Sequence, residues 1–254
     1  MKQLIAIAVR EWKVFFQTPF AMVVLTLYLV LAGTYFYASF DRYLTLANPS
    51  EATTRVAGLN VTIHLLIPFL RDLMSVFVFI IPLITMRSFA EEKKLGTYDL
   101  LVSYPVRPAV ILMGKYLGSV TLVFGLLGLS LVYCSVIVWK GEPFLPQIGS
   151  VYLGYTLFLL FYVASGIVVS LFTENQIVSA LVTYAVVFCA VVFAWLAHVS
   201  PAPWDRFFAH FLFLAHLESF RNGLIFTGDI AAYVTTTVAI LLVGWLKIRR
   251  HFSS

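Results

Sequence analysis

Acidic and basic side chains are concentrated in one stretch of this chain, Thr85 to Lys115, which separates two long apolar runs. Within it Arg87, Glu91, Glu92 and Lys93 bring charges of both signs together, whereas the flanking sequence is suited to hydrocarbon. The chemistry of such a set is recognition by ion pairing outside the apolar phase. We therefore expect a partner to bind this stretch. A solvated helix face without a partner is the alternative, because most surface charges contribute little.

The same stretch predicts two short helices that meet at a corner. Residues 87–95 are good helix formers, and Gly96 supplies the left-handed residue that ends a helix. Thr97 then fits the N-cap of a second helix, with Asp99 in its first turn. An apolar face of that second helix is expected from Leu100, Leu101 and Tyr104.

Motifs for catalysis are absent from the sequence. There is no GxxxxGK[ST] phosphate loop, HExxH or GxSxG, so this chain is not expected to bind ATP through such a loop or to be an enzyme. Histidines near the end of the chain do not predict a metal site, because His210 and His216 are six residues apart and diverge on a helix. Interfacial packing is the preferred interpretation of His198, His210, His216, Asp205 and Glu218.

The composition places the whole chain in a membrane. Hydrophobic residues make up 61% of the 254 residues, charged residues 11%, and the mean hydropathy is +0.94. Soluble proteins carry roughly a quarter charged residues, so this is an integral membrane protein. The formal net charge of +5 does not indicate nucleic acid, because the basic residues sit mainly beside apolar spans, where membrane lipid attracts them.

We predict an all-α protein of one domain, residues 1–254, with six membrane spans. Residues 1–18 are expected to form an amphipathic helix on the membrane surface, with Leu4, Ala8, Trp12, Phe15 and Phe16 on its apolar face. The expected spans are 20–40, 64–86, 115–139, 151–172, 177–197 and 230–246, with a polar loop over 41–60. Residues 200–228 are too polar to cross and too apolar for a loop, so short re-entrant or interfacial helices are predicted there.

The distribution of Lys and Arg predicts the orientation. Eleven lie on the side that holds both termini and residues 87–108, and six lie on the other side. The richer side is the cytosol by the positive-inside rule, which places the charged corner where ATP is found.

A second charged feature lies inside span 2, where Arg71 and Asp72 are predicted to reach the outer third of the membrane. Adjacent residues point about 100° apart on a helix, so we expect neither to be the other's main partner. Contacts with Glu218, Arg221 or Asp229 are predicted instead, closing the outer side. The alternative is that span 2 starts later and both residues lie in water.

The charged corner resembles the cytosolic loop of ABC-2 type transporter permeases. The matching residues are Thr85-Met86-Arg87, Glu91-Glu92-Lys93, Gly96-Thr97, Asp99-Leu100-Leu101, Pro105 and Gly114-Lys115. A second match precedes the last span and consists of Glu218-Ser219-Phe220, Gly223, Ile225 and Asp229. Within that class the chain is most similar to the gliding-motility-associated permeases and the permease of nitrous-oxide reductase maturation. Tyr98 and Tyr104 depart from the commoner residues, which bears on which ATPase docks.

The resemblance implies a coupling helix that docks on a separate ATP-binding subunit. It assigns that role to Arg87, Glu91, Glu92, Lys93, Gly96, Thr97, Asp99, Leu100 and Leu101. It further implies two ATPase subunits that hold ATP and magnesium, a second permease subunit of the same or another kind, and no cofactor on this chain. An auxiliary extracytoplasmic protein is a further candidate partner.

The function implied is that of an exporter permease in a bacterial cytoplasmic (inner) membrane. A subunit that transmits force or anchors an assembly without moving a solute is the second reading, and a secondary transporter is a weaker third. The sequence does not indicate the substrate.

Overall fold

Helices account for nearly all of the residues that the structure describes. The computed structural model describes residues 2–47, 60–103, 106–141, 143–199 and 213–252. In chain order its elements are α1 (Lys2–Gln17), α2 (Pro19–Ala47), a π-helical turn (Thr62–Leu66), α3 (Ile67–Thr85), α4 (Ala90–Lys94), α5 (Tyr98–Ser103), α6 (Pro108–Gly141), α7 (Leu145–Phe172), α8 (Gln176–Val199), α9 (Phe213–Arg221) and α10 (Thr227–Phe252). The all-α class predicted from the sequence is confirmed.

Six helical segments within the described ranges are long and apolar enough to cross a membrane. They are Pro19–Ala47, Thr62–Lys94, Pro108–Trp139, Leu145–Phe172, Gln176–Phe193 and Thr227–Arg250. A crossing needs about 20 apolar residues, because the hydrocarbon layer is about 30 Å thick and each helical residue rises about 1.5 Å. The chain is therefore a multi-pass integral membrane protein, as the composition predicted.

The helix boundaries differ most from the predicted ones at the end of α2 and at the start of α6. The loop expected from residue 41 begins later, because α2 continues to Ala47 with Asp41 and Arg42 exposed on its surface. Residues 48–59 of that loop lie outside the described part of the chain. At the other place, α6 begins at Pro108 rather than at Lys115. Proline is favoured in the first turn of a helix, so Pro108 is the first residue of α6.

Helix α7 forms the centre of the bundle and is the most deeply buried of the described spans. Its side chains pack against α3, α6, α8, α9 and α10. The Tyr162 hydroxyl donates a hydrogen bond of 3.0 Å to the carbonyl of Val78, which satisfies a polar group inside the apolar core. Gly166 lets α7 approach α3 and α8 closely, since a Cβ at that position would meet Thr85 of α3 and Thr183 of α8.

This close approach leads to a stability prediction for Gly166→Ala. The added methyl group would lie 2.8 Å from Thr85 Cβ and 3.2 Å from Thr183 Cγ2. We expect a loss of about 1–3 kcal/mol in the free energy of unfolding, as in other overpacked cores. The measurement is denaturant unfolding in detergent micelles. Gly125→Ala is the matched control, because nothing lies within 4 Å of a Cβ at Gly125 of α6. Equal stability of the two variants would contradict the prediction.

Helix α9 dips into the bundle beside the first turns of α7. Phe220 is fully buried, and a Cβ at Gly154 would lie 2.7 Å from the Phe220 side chain. Gly154 is nine residues from Leu145, which corresponds to about 14 Å along α7. Gly223, with φ +80°, then turns the chain into α10. The short helix predicted before the last span is thus present as α9. Residues 200–212 of the predicted outer-face region lie outside the described part.

Candidate functional site

The charged corner predicted from the sequence is present at one end of the bundle. Helices α4 and α5 are separated by three residues, and Gly96 among them has φ +68°. The backbone N–H of Gly96 donates to the Lys93 carbonyl at 3.1 Å, which closes α4. Thr97 also belongs to this closure: its N–H and its hydroxyl both donate to the Glu92 carbonyl, at 2.9 and 3.2 Å. The threonine expected to start the second helix thus helps to end the first.

A buried lysine lies directly behind this corner. Lys115 is 1% exposed, and its ammonium lies 2.8 Å from Glu11 Oε1 and 3.0 Å from Glu92 Oε1. It also donates to the Ser88 carbonyl at 2.6 Å and sits 5.0 Å from the centre of the Phe89 ring. An ammonium has three N–H donors, so these three oxygens satisfy it. Lys115 of α6 therefore joins α1, α4 and the segment that precedes α4.

The lysine network borders a cavity of about 240 Å³ that charged and apolar side chains line together. Arg10 lies on its open side, 54% exposed and 3.7 Å from Glu92 Oε1. The second carboxylate oxygen of Glu92 is buried and has no hydrogen-bond partner among the described residues. Two carboxylates and two cations share this junction. The arrangement suits mechanical linkage of helices by ion pairs.

Close helix packing holds α1 against this network. A Cβ at Gly114 would lie 2.7 Å from Ile7, and one at Gly118 would lie 2.9 Å from the Glu11 side chain. The Trp12 indole N–H donates to the Thr121 hydroxyl at 2.7 Å. The sequence-based prediction for α1 did not identify Ile7 and Glu11 as residues that contact α6. Two glycines four residues apart in a membrane helix are the sequence signal that would have identified this contact.

On its other side, α4 is attached to the end of α7. The backbone N–H groups of Phe89 and Ala90 both donate to the Ser170 hydroxyl, at 2.9 and 3.1 Å. The Lys93 ammonium donates to the carbonyl of Leu171. Glu92 and Lys93, which the resemblance placed beside an ATPase, therefore make contacts inside this chain.

Other residues of the corner face outward. Leu95 is 67% exposed and Leu100 is 63% exposed, so the corner presents apolar surface at its tip. Asp99 and Leu101 also lie in α5. Arg87 and Glu91 form an ion pair at 2.9 Å with both side chains about one quarter exposed. Among the predicted residues whose side chains the structure describes, some thus fix the corner and others are available to a partner.

The opposite end of the bundle corrects the interpretation of Arg71 and Asp72. The two adjacent residues do pair, with Arg71 Nε 3.2 Å from Asp72 Oδ1. The expectation that they could not was wrong, because the long arginine side chain bends back over the 100° between their Cα–Cβ directions. Arg71 is 51% exposed, so this is a surface ion pair. Arg221 likewise pairs within α9, 2.7 Å from Glu218 Oε2.

The predicted outer residues still lie in one region. Arg71, Asp72, Glu218 and Arg221 all lie within electrostatic range of the buried Tyr155 on α7. Direct contact between α9 and α10 comes from Asp229, whose Oδ1 lies 2.7 Å from His216 Nδ1. The sequence predicts interfacial packing for His216, whereas the structure pairs it with Asp229, 13 residues further along the chain.

The described part of the chain has six candidate spans, a short helix before the last of them and a helical corner between the second and third. A family model of ABC-2 family transporter proteins matches residues 72–246, which is more than half of the chain. The chain belongs to the ABC-2 family of transporter proteins. Proteins of this family are membrane components that are not themselves catalytic, and they typically work with an ATPase partner. A search of curated proteins finds no match. The similarity to gliding-motility and nitrous-oxide reductase maturation permeases stays a prediction.

Proposed function

We propose that this chain is the permease subunit of an ATP-driven exporter and that α4 and α5 dock on a separate ATPase subunit. The observation that carries the proposal is the division of the corner into two sides. One side exposes Leu95 and Leu100, whereas the other is bound to three helices through Lys115, Glu92 and Ser170. A surface that is apolar at its tip and rigidly supported behind is suited to binding a protein partner.

The contacts behind the corner explain how a movement there reaches the spans. Displacement of α4 changes the Glu92–Lys115–Glu11 network, which involves α6 and α1. The same displacement acts on α7 through the Ser170 hydroxyl. Energetic coupling through packed helices requires such continuous contacts. The corner is thereby linked to the central helix and to the N-terminal helix at once.

The complete assembly in this proposal has two ATPase subunits, which hold ATP and magnesium, and two permease subunits. The corner and both termini face the cytosol of a bacterial inner membrane, as the excess of Lys and Arg on that side favours. The particular ATPase belongs to a system of the gliding-motility or nitrous-oxide reductase maturation type. An auxiliary extracytoplasmic protein would meet the α9 end.

Docking is tested by Leu95→Asp combined with Leu100→Asp. Because a central apolar anchor at an interface contributes about 2 kcal/mol or more, we expect co-purification of the ATPase from native membranes to fall at least about tenfold. Leu224→Asp is the matched control, since Leu224 is 53% exposed at the opposite end. Undiminished recovery of the ATPase with the double variant would refute docking through this corner.

Export is tested separately from docking. The permease and its co-purified ATPase are reconstituted in liposomes, and ATP turnover is measured with candidate solutes inside and outside. Stimulation of turnover together with solute movement supports export. ATP turnover that is coupled to no solute, with the ATPase still docked, would favour the force-transmitting role.

A further inference from the structure

An apolar groove lies between α6 and α10, away from the contacts described above. Its volume is about 410 Å³, and its lining consists of three apolar side chains from α6 and four from α10. Leu112 and Met113 form one wall, and Leu242 and Trp245 form part of the other. Ligand sites commonly have volumes of about 300–1,000 Å³. The groove is open along its length, so it faces the lipid phase.

Basic residues lie at one end of this groove. Gly244 of α10 packs against Leu112 of α6, with 3.4 Å from a Cβ at Gly244 to Leu112 Cδ2. The two helices run in opposite directions, and Arg107 precedes Leu112 by five residues just as Arg249 follows Gly244 by five. Both arginines therefore lie at about the same level, roughly 7.5 Å beyond the Leu112–Gly244 contact. Two cations therefore lie just beyond this end of the groove, one at the start of α6 and one on α10.

Arg249 of α10 lies against a side chain that lines the groove. Its guanidinium carbon lies 5.3 Å from the centre of the Trp245 ring, which lines the groove. Neither Arg249 nor Arg107 forms an ion pair with any residue in the described ranges. Tryptophan is enriched at the boundary between hydrocarbon and head groups, so the ring also marks the depth of the cations.

From this juxtaposition we propose that the α6–α10 groove is a binding site for one anionic phospholipid of the surrounding bilayer. An acyl chain fills the apolar groove, and the phosphate of the head group lies between Arg107 and Arg249. Basic sites between membrane helices bind anionic head groups in this way. The proposal is independent of ATPase docking, because the groove shares no lining residue with the exposed tip of the corner.

A second copy of the chain is a poorer occupant. Two copies related by a two-fold axis normal to the membrane would bring Arg107 and Arg249 of one copy to the same level as those of the other. Like charges placed opposite each other disfavour an interface. A lipid phosphate instead neutralises both arginines and leaves the apolar contact intact.

The test uses the fluorescence of Trp245 in vesicles. The other four of the five tryptophans are replaced by Phe, and phosphatidylcholine vesicles contain an equal mole fraction of either brominated phosphatidylglycerol or brominated phosphatidylcholine. Because each basic residue strengthens binding of an anionic lipid, we expect the glycerol lipid to quench Trp245 at least about threefold more. In the variant with Arg107→Gln and Arg249→Gln, the ratio is expected to fall close to one. Lys13→Gln, an exposed lysine on α1, is the control that keeps the ratio.

Three outcomes overturn the proposal. They are equal quenching by the two lipids in the parent protein, an unchanged ratio in the double variant, and no quenching by either lipid, which would assign the groove to a second copy. A second measurement does not depend on the tryptophan replacements. Native mass spectrometry of the unmodified chain should show one retained phosphatidylglycerol that the double variant loses, and equal retention by both proteins also refutes the site.

Discussion

Replacing Lys115 with Met is expected to destabilise the protein by about 3–5 kcal/mol, because it leaves two largely enclosed carboxylates without their buried cation. Glu11 and Glu92 both lie within 3.0 Å of the ammonium, and their side chains are only 18% and 12% exposed. Arg10, at 3.7 Å from Glu92, is too exposed to replace it. The free energy of unfolding in detergent micelles is the measurement.

Two further variants separate the ion network from loss of packing. Combining Lys115→Met with Glu11→Gln and Glu92→Gln removes the lysine and both of its carboxylate partners and leaves only the exposed Arg10 charged. This variant should regain most of the lost stability, since uncharged replacements of buried pairs are often tolerated. Lys94→Met, an exposed lysine of α4, should change stability by no more than about 0.5 kcal/mol. A Lys115→Met protein as stable as the Lys94→Met protein would show that the network carries no structural role.

The second large effect is expected from Glu92→Lys, in contrast to Glu91→Lys. Charge reversal at Glu92 places a second ammonium against buried Lys115, so we expect a loss of several kcal/mol and little folded protein. Reversal at Glu91 breaks only its partly exposed pair with Arg87, which is worth about 0.3–0.5 kcal/mol. Expression level and unfolding free energy are measured for both.

This contrast also separates folding from docking. The sequence and the family resemblance predict the same role, contact with the ATPase, for both glutamates. Since Glu91→Lys keeps the fold, a decrease in ATPase recovery with this variant reports on docking alone. Equal destabilisation by the two reversals would contradict the inward position of Glu92.

The sequence alone was sufficient for the membrane class, the six spans and the corner. The reason is that these features are local: a run of about 20 apolar residues has to cross the bilayer as a helix, and Gly96 has to take the conformation that ends one. The family was also accessible, because its motif residues from Thr85 to Lys115 are continuous in the chain. The ends of the helices were harder to predict from the sequence. Helix α2, for example, continues to Ala47, beyond the length that the hydrocarbon layer requires.

The contacts between distant residues were decided by the tertiary structure. Glu11 and Lys115 are 104 residues apart, and only the packing of α1 on Gly114 and Gly118 brings their side chains together. The same holds for His216 and Asp229, which meet because α9 folds back beside α10. Whether a charged residue faces a partner or the interior depends on which helices surround it. Glu91 and Glu92 are neighbours in sequence, yet one lies at the surface and the other beside a buried lysine, because about 100° of helical rotation separates them.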